Sequence, residues 1–173
     1  FGRAAIFSFN NNKIVTGGGG GAVVTNDEWV AAQSWNLANT WRREHEWHVA
    51  HDGLAFNYRM PSLNAAMAVA QLRRIDQFLL AKKELLQRYK TAINGHASML
   101  TPAVWQGEPN YWLSTILVKD RRQRDELLEE LNEQGVKARA LFTPLHKLPH
   151  FSDCPRQTNL MQAVDLFDRA VCL

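Results

Sequence analysis

An α/β fold is what this sequence predicts, and three observations carry it. Two strand-length runs of small, aromatic and β-branched residues, 4–9 and 21–25, flank a polar, glycine-rich loop. Apolar residues then recur at helical spacing through Leu72, Ile75, Leu79, Leu86, Tyr89 and Ile93. Between residues 111 and 142 a strand, a charged helix and a second strand follow one another, the order of a small α/β layer.

In chain order, the polar "NNNK" and five consecutive glycines at 17–21 separate the first two strands, because Asn and Gly tolerate the backbone conformations of tight turns. Asn26 or Asp27 is placed to cap a helix through about Leu37, and "WRREHEWHVAHDG" reads as a surface loop or short helix. Ser62, after Pro61, is the expected N-cap of one long helix that Asn94 and Gly95 stop. At about 32 residues it would run roughly 48 Å, long enough to join two bodies. "YWLSTILVK" reads as a strand apolar on both faces, and Asp120 as the cap of a helix ending at Gly135. "VKARALF" then alternates, with Val136, Ala138, Ala140 and Phe142 expected inward, and a last helix begins near Asn159. The chain opens inside a strand-like stretch without an initiator methionine and stops on the apolar helical pattern "LFDRAVCL", which is what a fragment looks like.

Composition excludes several classes. With 173 residues, 46% hydrophobic and 21% charged, the chain matches an ordinary globular protein rather than a disordered or fibrous one. Its 20 Lys and Arg are interleaved with 17 Asp and Glu for a net charge of +3, too weak a field to favour a nucleic-acid partner. No apolar run approaches the roughly 20 residues that cross a bilayer, and the expected compartment is the cytosol. Cys154 and Cys172 form no CxxC pair, so both are expected as thiols.

Four constellations deserve a chemical reading. The glycine run is followed by no Gly-Lys-Ser/Thr and by a strand rather than a helix, so it matches neither a phosphate loop nor a dinucleotide fingerprint. His45, His48 and His51 fall three apart, a spacing that suits two metal ligands on one helical turn, but no carboxylate or cysteine cluster accompanies them and no metal is expected. Trp35, Trp41 and Trp47 recur every six residues, a period of neither helix nor strand, and are read as domain or subunit packing. Lys13, beside the glycines, is either a solvated turn residue or an amine placed to form a Schiff base with a carbonyl. Ser8, five residues earlier, offers a hydroxyl donor near the same loop.

At this point the residues resemble a family. "SFNNNKIVTGGGGGAVVT" is similar to the cofactor-lysine motif of the DegT/StrS sugar-nucleotide aminotransferases, and "FNYRMPSLNAAMAVAQL" to that family's second landmark. "FTPLHKLPHF" resembles a third, less specific stretch. The resemblance spans nearly the whole chain but only the carboxy-terminal half of a family member. It implies the fold-type I, aspartate aminotransferase-like transferase fold: residues 1 to about 60 end the large cofactor domain, and 61–173 form the interdomain helix and small α/β domain.

It also implies pyridoxal 5'-phosphate as cofactor, carried by Lys13 as a Schiff base, with Ser8 bonding the phosphate and Asn57 reaching the phosphate in the neighbouring subunit of a homodimer with shared active sites. Arg59 would support that crossing loop, form a structural ion pair or meet the substrate's diphosphate. His146 would lie near the nucleotide-sugar substrate, unless its role is structural. Some members of the superfamily replace the lysine with histidine and dehydrate sugars; here lysine is retained. The family's glycine-threonine phosphate loop, cofactor-stacking aromatic and pyridine-facing aspartate would precede residue 1. The implied activity is amino transfer from an amino acid, expected to be glutamate, to a keto-sugar nucleotide in amino-sugar and surface-polysaccharide biosynthesis. The competing reading is a non-catalytic dimerisation module that keeps the fold.

Overall fold

The computed structural model describes residues 2–93, 98–99, 109–156 and 159–173. They fall into two compact units, Phe1–Phe78 and Leu79–Leu173.

The first unit opens on an antiparallel hairpin of β1 (Ala4–Ser8) and β2 (Gly21–Thr25), in register from Ala4 opposite Thr25 to Ser8 opposite Gly21. Asp27 caps α1 (Glu28–Ala38) by accepting the Val30 amide at 3.0 Å, which satisfies one of that helix's unpaired first-turn donors. The same carboxylate takes the Arg3 guanidinium, which ties the chain start to the cap. That hydrogen bond, with the Val30 amide behind it, holds the Asp27 carboxyl below its ordinary value of 3.8. The polar stretch after α1 is a loop folded on itself by two isolated bridges, Asn39 with Asn57 and Arg42 with His51. His45, His48 and His51 are exposed in it, and His45 Nδ1 accepts the His48 amide at 3.2 Å. Among the described residues no three His, Cys, Asp or Glu side chains converge as a metal site.

The expected single helix is two. α2 (Ser62–Leu72) and α3 (Ile75–Ile93) are separated at Arg73 and Arg74, where the Arg74 amide bonds the Gln71 carbonyl at 2.9 Å, a tightened 3₁₀-type step that breaks the ladder. Ser62 is not the cap: Pro61 occupies that position in extended conformation, without a side-chain bond, and Ser62 is already helical.

The second unit is built on an antiparallel sheet in the order β3-β4-β6-β5: β3 (Ser98–Met99), β4 (Thr115–Leu117), β6 (Ala170–Cys172) and β5 (Arg139–Ala140). α4 (Arg121–Glu133) starts on Asp120, whose carboxylate accepts the Gln123 amide at 3.0 Å, and α5 (Met161–Arg169) leads directly into β6. The core gathers Ile116, Ala138 and Val171 against Ile93, Leu127, Leu128, Leu131 and Leu173. Val171 is fully buried, which contributes about 1.5–3 kcal/mol.

Three sequence expectations change here. β4 buries one face, Ser114, Ile116 and Val118, while Thr115 and Leu117 are half-buried. In 136–142 Ala138 is buried and Ala140 half-buried, but Val136 and Phe142 are exposed, Phe142 lying under the Arg139 guanidinium at 4.3 Å. Of the apolar chain end, residues 166–169 do complete α5, but Ala170–Cys172 form the buried strand β6. Cys154 is an exposed thiol and Cys172 a buried one.

Candidate functional site

The loop that carries Lys13 is a closed structure rather than a loose turn. Beyond the Ser8–Gly21 pair, the Phe9 amide donates to the Gly20 carbonyl and the Gly17 amide to the Phe9 carbonyl, both at 2.9 Å. Asn10 then begins a turn, with the Lys13 amide bonding the Asn10 carbonyl at 3.0 Å and the Asn10 amide reaching Ser8 Oγ at 3.4 Å. Thr16 Oγ1 donates to the Phe9 carbonyl at 3.1 Å and accepts the Gly18 amide at 2.8 Å. Lys13 is half-buried at the turn's end, and Ser8 is exposed at the end of β1.

The glycines differ in their reasons. Gly20 has φ +85° and faces Met60, whose Cε lies 2.6 Å from where a Cβ would be. Gly17 sits so close to α2 that a Cβ would be 2.8 Å from the Asn64 carbonyl oxygen. At Gly19 a Cβ would meet nothing within 4 Å. At Gly21 a Cβ would lie 2.5 Å from the Phe7 carbonyl oxygen, and Gly18 has φ +77°, so within the run only Gly19 is plain loop filling.

Asn57 and Arg59 belong to a second feature of this unit. The 56–58 segment runs back along the end of α1, the Phe56 amide bonding the Leu37 carbonyl and the Tyr58 amide the Ala38 carbonyl, each at 2.8 Å. Phe56 and Tyr58 stack at 4.9 Å on one side of this extended segment, which leaves the exposed Asn57 on the other. Arg59 lies over the Trp35 ring at 5.3 Å, a cation–π contact, in a groove of about 630 Å³ whose walls include Val24, Ser34, Asn39 and Tyr58. This groove takes in Arg59 and not Ser8, Lys13 or Asn57. His146 is half-buried in the second unit, in a 3₁₀ turn over Leu145–Lys147 set by Pro144, whose carbonyl accepts the Lys147 amide at 2.8 Å.

Ser8 and Lys13 thus share one loop, Asn57 and Arg59 share one extended segment, and His146 stands in the other unit. Sequence reasoning missed two side chains on α2 that touch the Lys13 loop: Gln71 Oε1 accepts the Thr16 amide at 2.8 Å, and Asn64 Nδ2 donates to the Gly17 carbonyl at 2.6 Å.

The model of the DegT/DnrJ/EryC1/StrS aminotransferase family matches residues 1–173, with the lysine-bearing glycine loop and the 57–59 segment inside it. The chain belongs to this family. EpsN of Bacillus subtilis (strain 168) is 34% identical over 178 residues, covering 100% of this chain and 45% of EpsN. The GDP-perosamine synthase of Escherichia coli O157:H7 is 33% identical over 155 residues, 88% of this chain and 42% of the synthase. Among solved structures, the PLP form of Spr1654 from Streptococcus pneumoniae superposes with a TM-score of 0.87 at 21% identity, over 99% of this chain and 46% of that one. The fold is that of the carboxy-terminal part of a fold-type I transferase. The chain spans about half the length of these proteins.

Proposed function

We propose that this chain supplies the lysine-bearing part of a cytoplasmic, pyridoxal phosphate-dependent aminotransferase that moves an amino group from an amino acid, glutamate, to a keto-sugar carried on a nucleotide. The observation that carries this reading is the family match across the whole chain with Lys13 on a backbone-closed loop. Its context would be amino-sugar and surface-polysaccharide biosynthesis, a reading supported by the relative named as a GDP-perosamine synthase. Residues 1–60 would end the cofactor domain and 61–173 form the interdomain helices and small domain.

The residues present fit the cofactor's chemistry. Lys13 would supply a primary amine for its aldehyde, and Ser8, at the end of the strand that leads into the same loop, a hydroxyl donor for its phosphate. Bound pyridoxal phosphate supplies an electron sink for the charge left when the donor's α-proton departs. Lys13 Nζ would take that proton from the donor's α-carbon and, in the second half of the cycle, deliver a proton to the sugar carbon that receives nitrogen. Asn57 would donate its side-chain amide to the phosphate in the neighbouring subunit's site, making the active unit a homodimer. Arg59, its guanidinium held over Trp35, would meet the substrate's diphosphate, and His146 the nucleotide-sugar side.

Borohydride reduction of the full-length gene product, followed by peptide mass analysis, tests the assignment. Cofactor fixed to Lys13, with loss of at least about a thousandfold in transfer rate in Lys13→Ala, is expected. Label on another lysine, or near-normal turnover by Lys13→Ala, rejects it.

A further inference from the structure

We propose that α2 is the latch that positions the Lys13 amine, with Asn64 and Gln71 as its two positioning residues. The proposal rests on the assignment of Lys13 given above and names what holds that lysine in place.

Asn64 and Gln71 are seven residues apart, so at 100° per residue they lie within about 20° of one another on the helix surface. Ala68 sits between them on the same stripe and is buried to 3% exposure, a side chain small enough for another backbone to pack closely on this face. The returning strand of the Lys13 loop presents one orphan donor and one orphan acceptor to that stripe, and each meets the complementary end of an amide. Gln71 must accept, because its partner is the Thr16 N–H; Asn64 must donate, because its partner is the Gly17 carbonyl. These bonds bridge 55 and 47 residues of chain, and the van der Waals approach of Gly17 to the Asn64 backbone seats the loop on the helix. Thr16 and Gly17 follow Lys13 by three and four residues and are tied through Phe9 to the strand end that carries Ser8. A lysine that must shuttle a proton between carbons needs its turn fixed to a fraction of an ångström. Both ends of this turn are fixed, one by the hairpin and the other by α2.

The opposite polarity of the two amides provides the test. Gln71→Glu keeps an acceptor and is expected to behave as wild type, whereas Asn64→Asp, equally isosteric, replaces a donor by an oxygen facing a carbonyl and is expected to fail. Gln71→Met removes the acceptor. In the full-length product, amide hydrogen exchange over residues 13–20 is expected to quicken about five- to tenfold in Asn64→Asp and Gln71→Met, with α4 unchanged as the folding control. The turnover number is expected to fall about tenfold or more in the same two variants, with KM for the nucleotide sugar within about twofold and Gln71→Glu restoring both readouts. Unchanged exchange in both variants overturns the latch whatever Lys13 does. Faster exchange with unchanged turnover, while borohydride still labels Lys13, overturns the positioning role. Faster exchange with the label on a different lysine leaves the latch standing and rejects the Lys13 assignment instead.

Discussion

Alanine at Gly17 and alanine at Gly19 each add one methyl group, two residues apart, and the structure gives them opposite fates. At Gly17 the new Cβ would lie 2.8 Å from the Asn64 carbonyl oxygen, where ordinary contact begins at 3.4 Å, so one backbone must retreat by about 0.6 Å. Neither side is a flexible side-chain tip: one is helix α2 and the other is held by the Gly17–Phe9 bond at 2.9 Å and the Asn64–Gly17 bond at 2.6 Å. Overpacking of this kind costs about 1–3 kcal/mol, offset by about 0.4–1 kcal/mol from the stiffer unfolded chain, for a net loss of about 1–2 kcal/mol. At Gly19 there is no clash and only the offset remains, so the change should stay within about 0.5 kcal/mol of neutral or stabilise slightly. The assay is the local opening free energy of loop 9–20 from amide exchange in the full-length product, comparing the two variants with wild type. Equal protection in both, or a looser loop in Gly19→Ala, would refute the close packing of this loop on α2.

Three further outcomes are expected. Arg124 is buried to 4% exposure, donates to the Phe167 carbonyl at 2.7 Å and lies over the Phe167 ring at 5.3 Å, so Arg124→Leu should destabilise the second unit by about 2–4 kcal/mol in urea unfolding, whereas Arg122→Ala, at a solvent-exposed ion pair, should leave the midpoint unchanged. Because the Asp27 carboxyl is held below 3.8, its contribution to α1 is complete above that value and fades as pH falls through the lowered one; Asp27→Asn should remove this acid dependence of α1 exchange. Mixing full-length Lys13→Ala with an inactive Asn57→Ala should regenerate activity in heterodimers, which hold one site bearing neither lesion, and dead heterodimers would reject a shared site.

What could be read from sequence was whatever has a local cause. The caps at Asp27 and Asp120 were legible because a carboxylate before a helical pattern satisfies that helix's own first amides. The hairpin was legible because β-branched runs flank residues that can only be loop. The break at Arg73–Arg74 was not, since arginine is a good helix former and neither glycine nor proline marks the step. Nor was β6, where Ala170, Val171 and Cys172 are all buried in the middle of a sheet and so lack the alternation that separates a strand from a helix end. Val136 and Phe142 had the alternation of a half-buried strand, yet only Arg139 and Ala140 pair, and those two outer side chains are exposed while Ala138 is buried.

The same division runs through the candidate site. Lys13 and Ser8 announce themselves because the chain spends unusual local sequence around them, three asparagines and five glycines, whereas Asn57 and Arg59 are singled out only by the resemblance of "FNYRM" to a family landmark. Asn64 and Gln71 look like ordinary residues of an alanine-rich helix, and their seven-residue spacing fits a solvated stripe as well as a contact. What distinguishes them is an orphan amide and an orphan carbonyl some fifty residues away, and those become orphans only once the Lys13 loop has closed on Phe9. On the proposed latch, the lysine is a property of the loop sequence, while the accuracy with which it is held is a property of the tertiary fold. Substitutions on the solvent side of α2 should leave both untouched, and substitutions on the Asn64–Ala68–Gln71 stripe should spare the amine itself while degrading its aim.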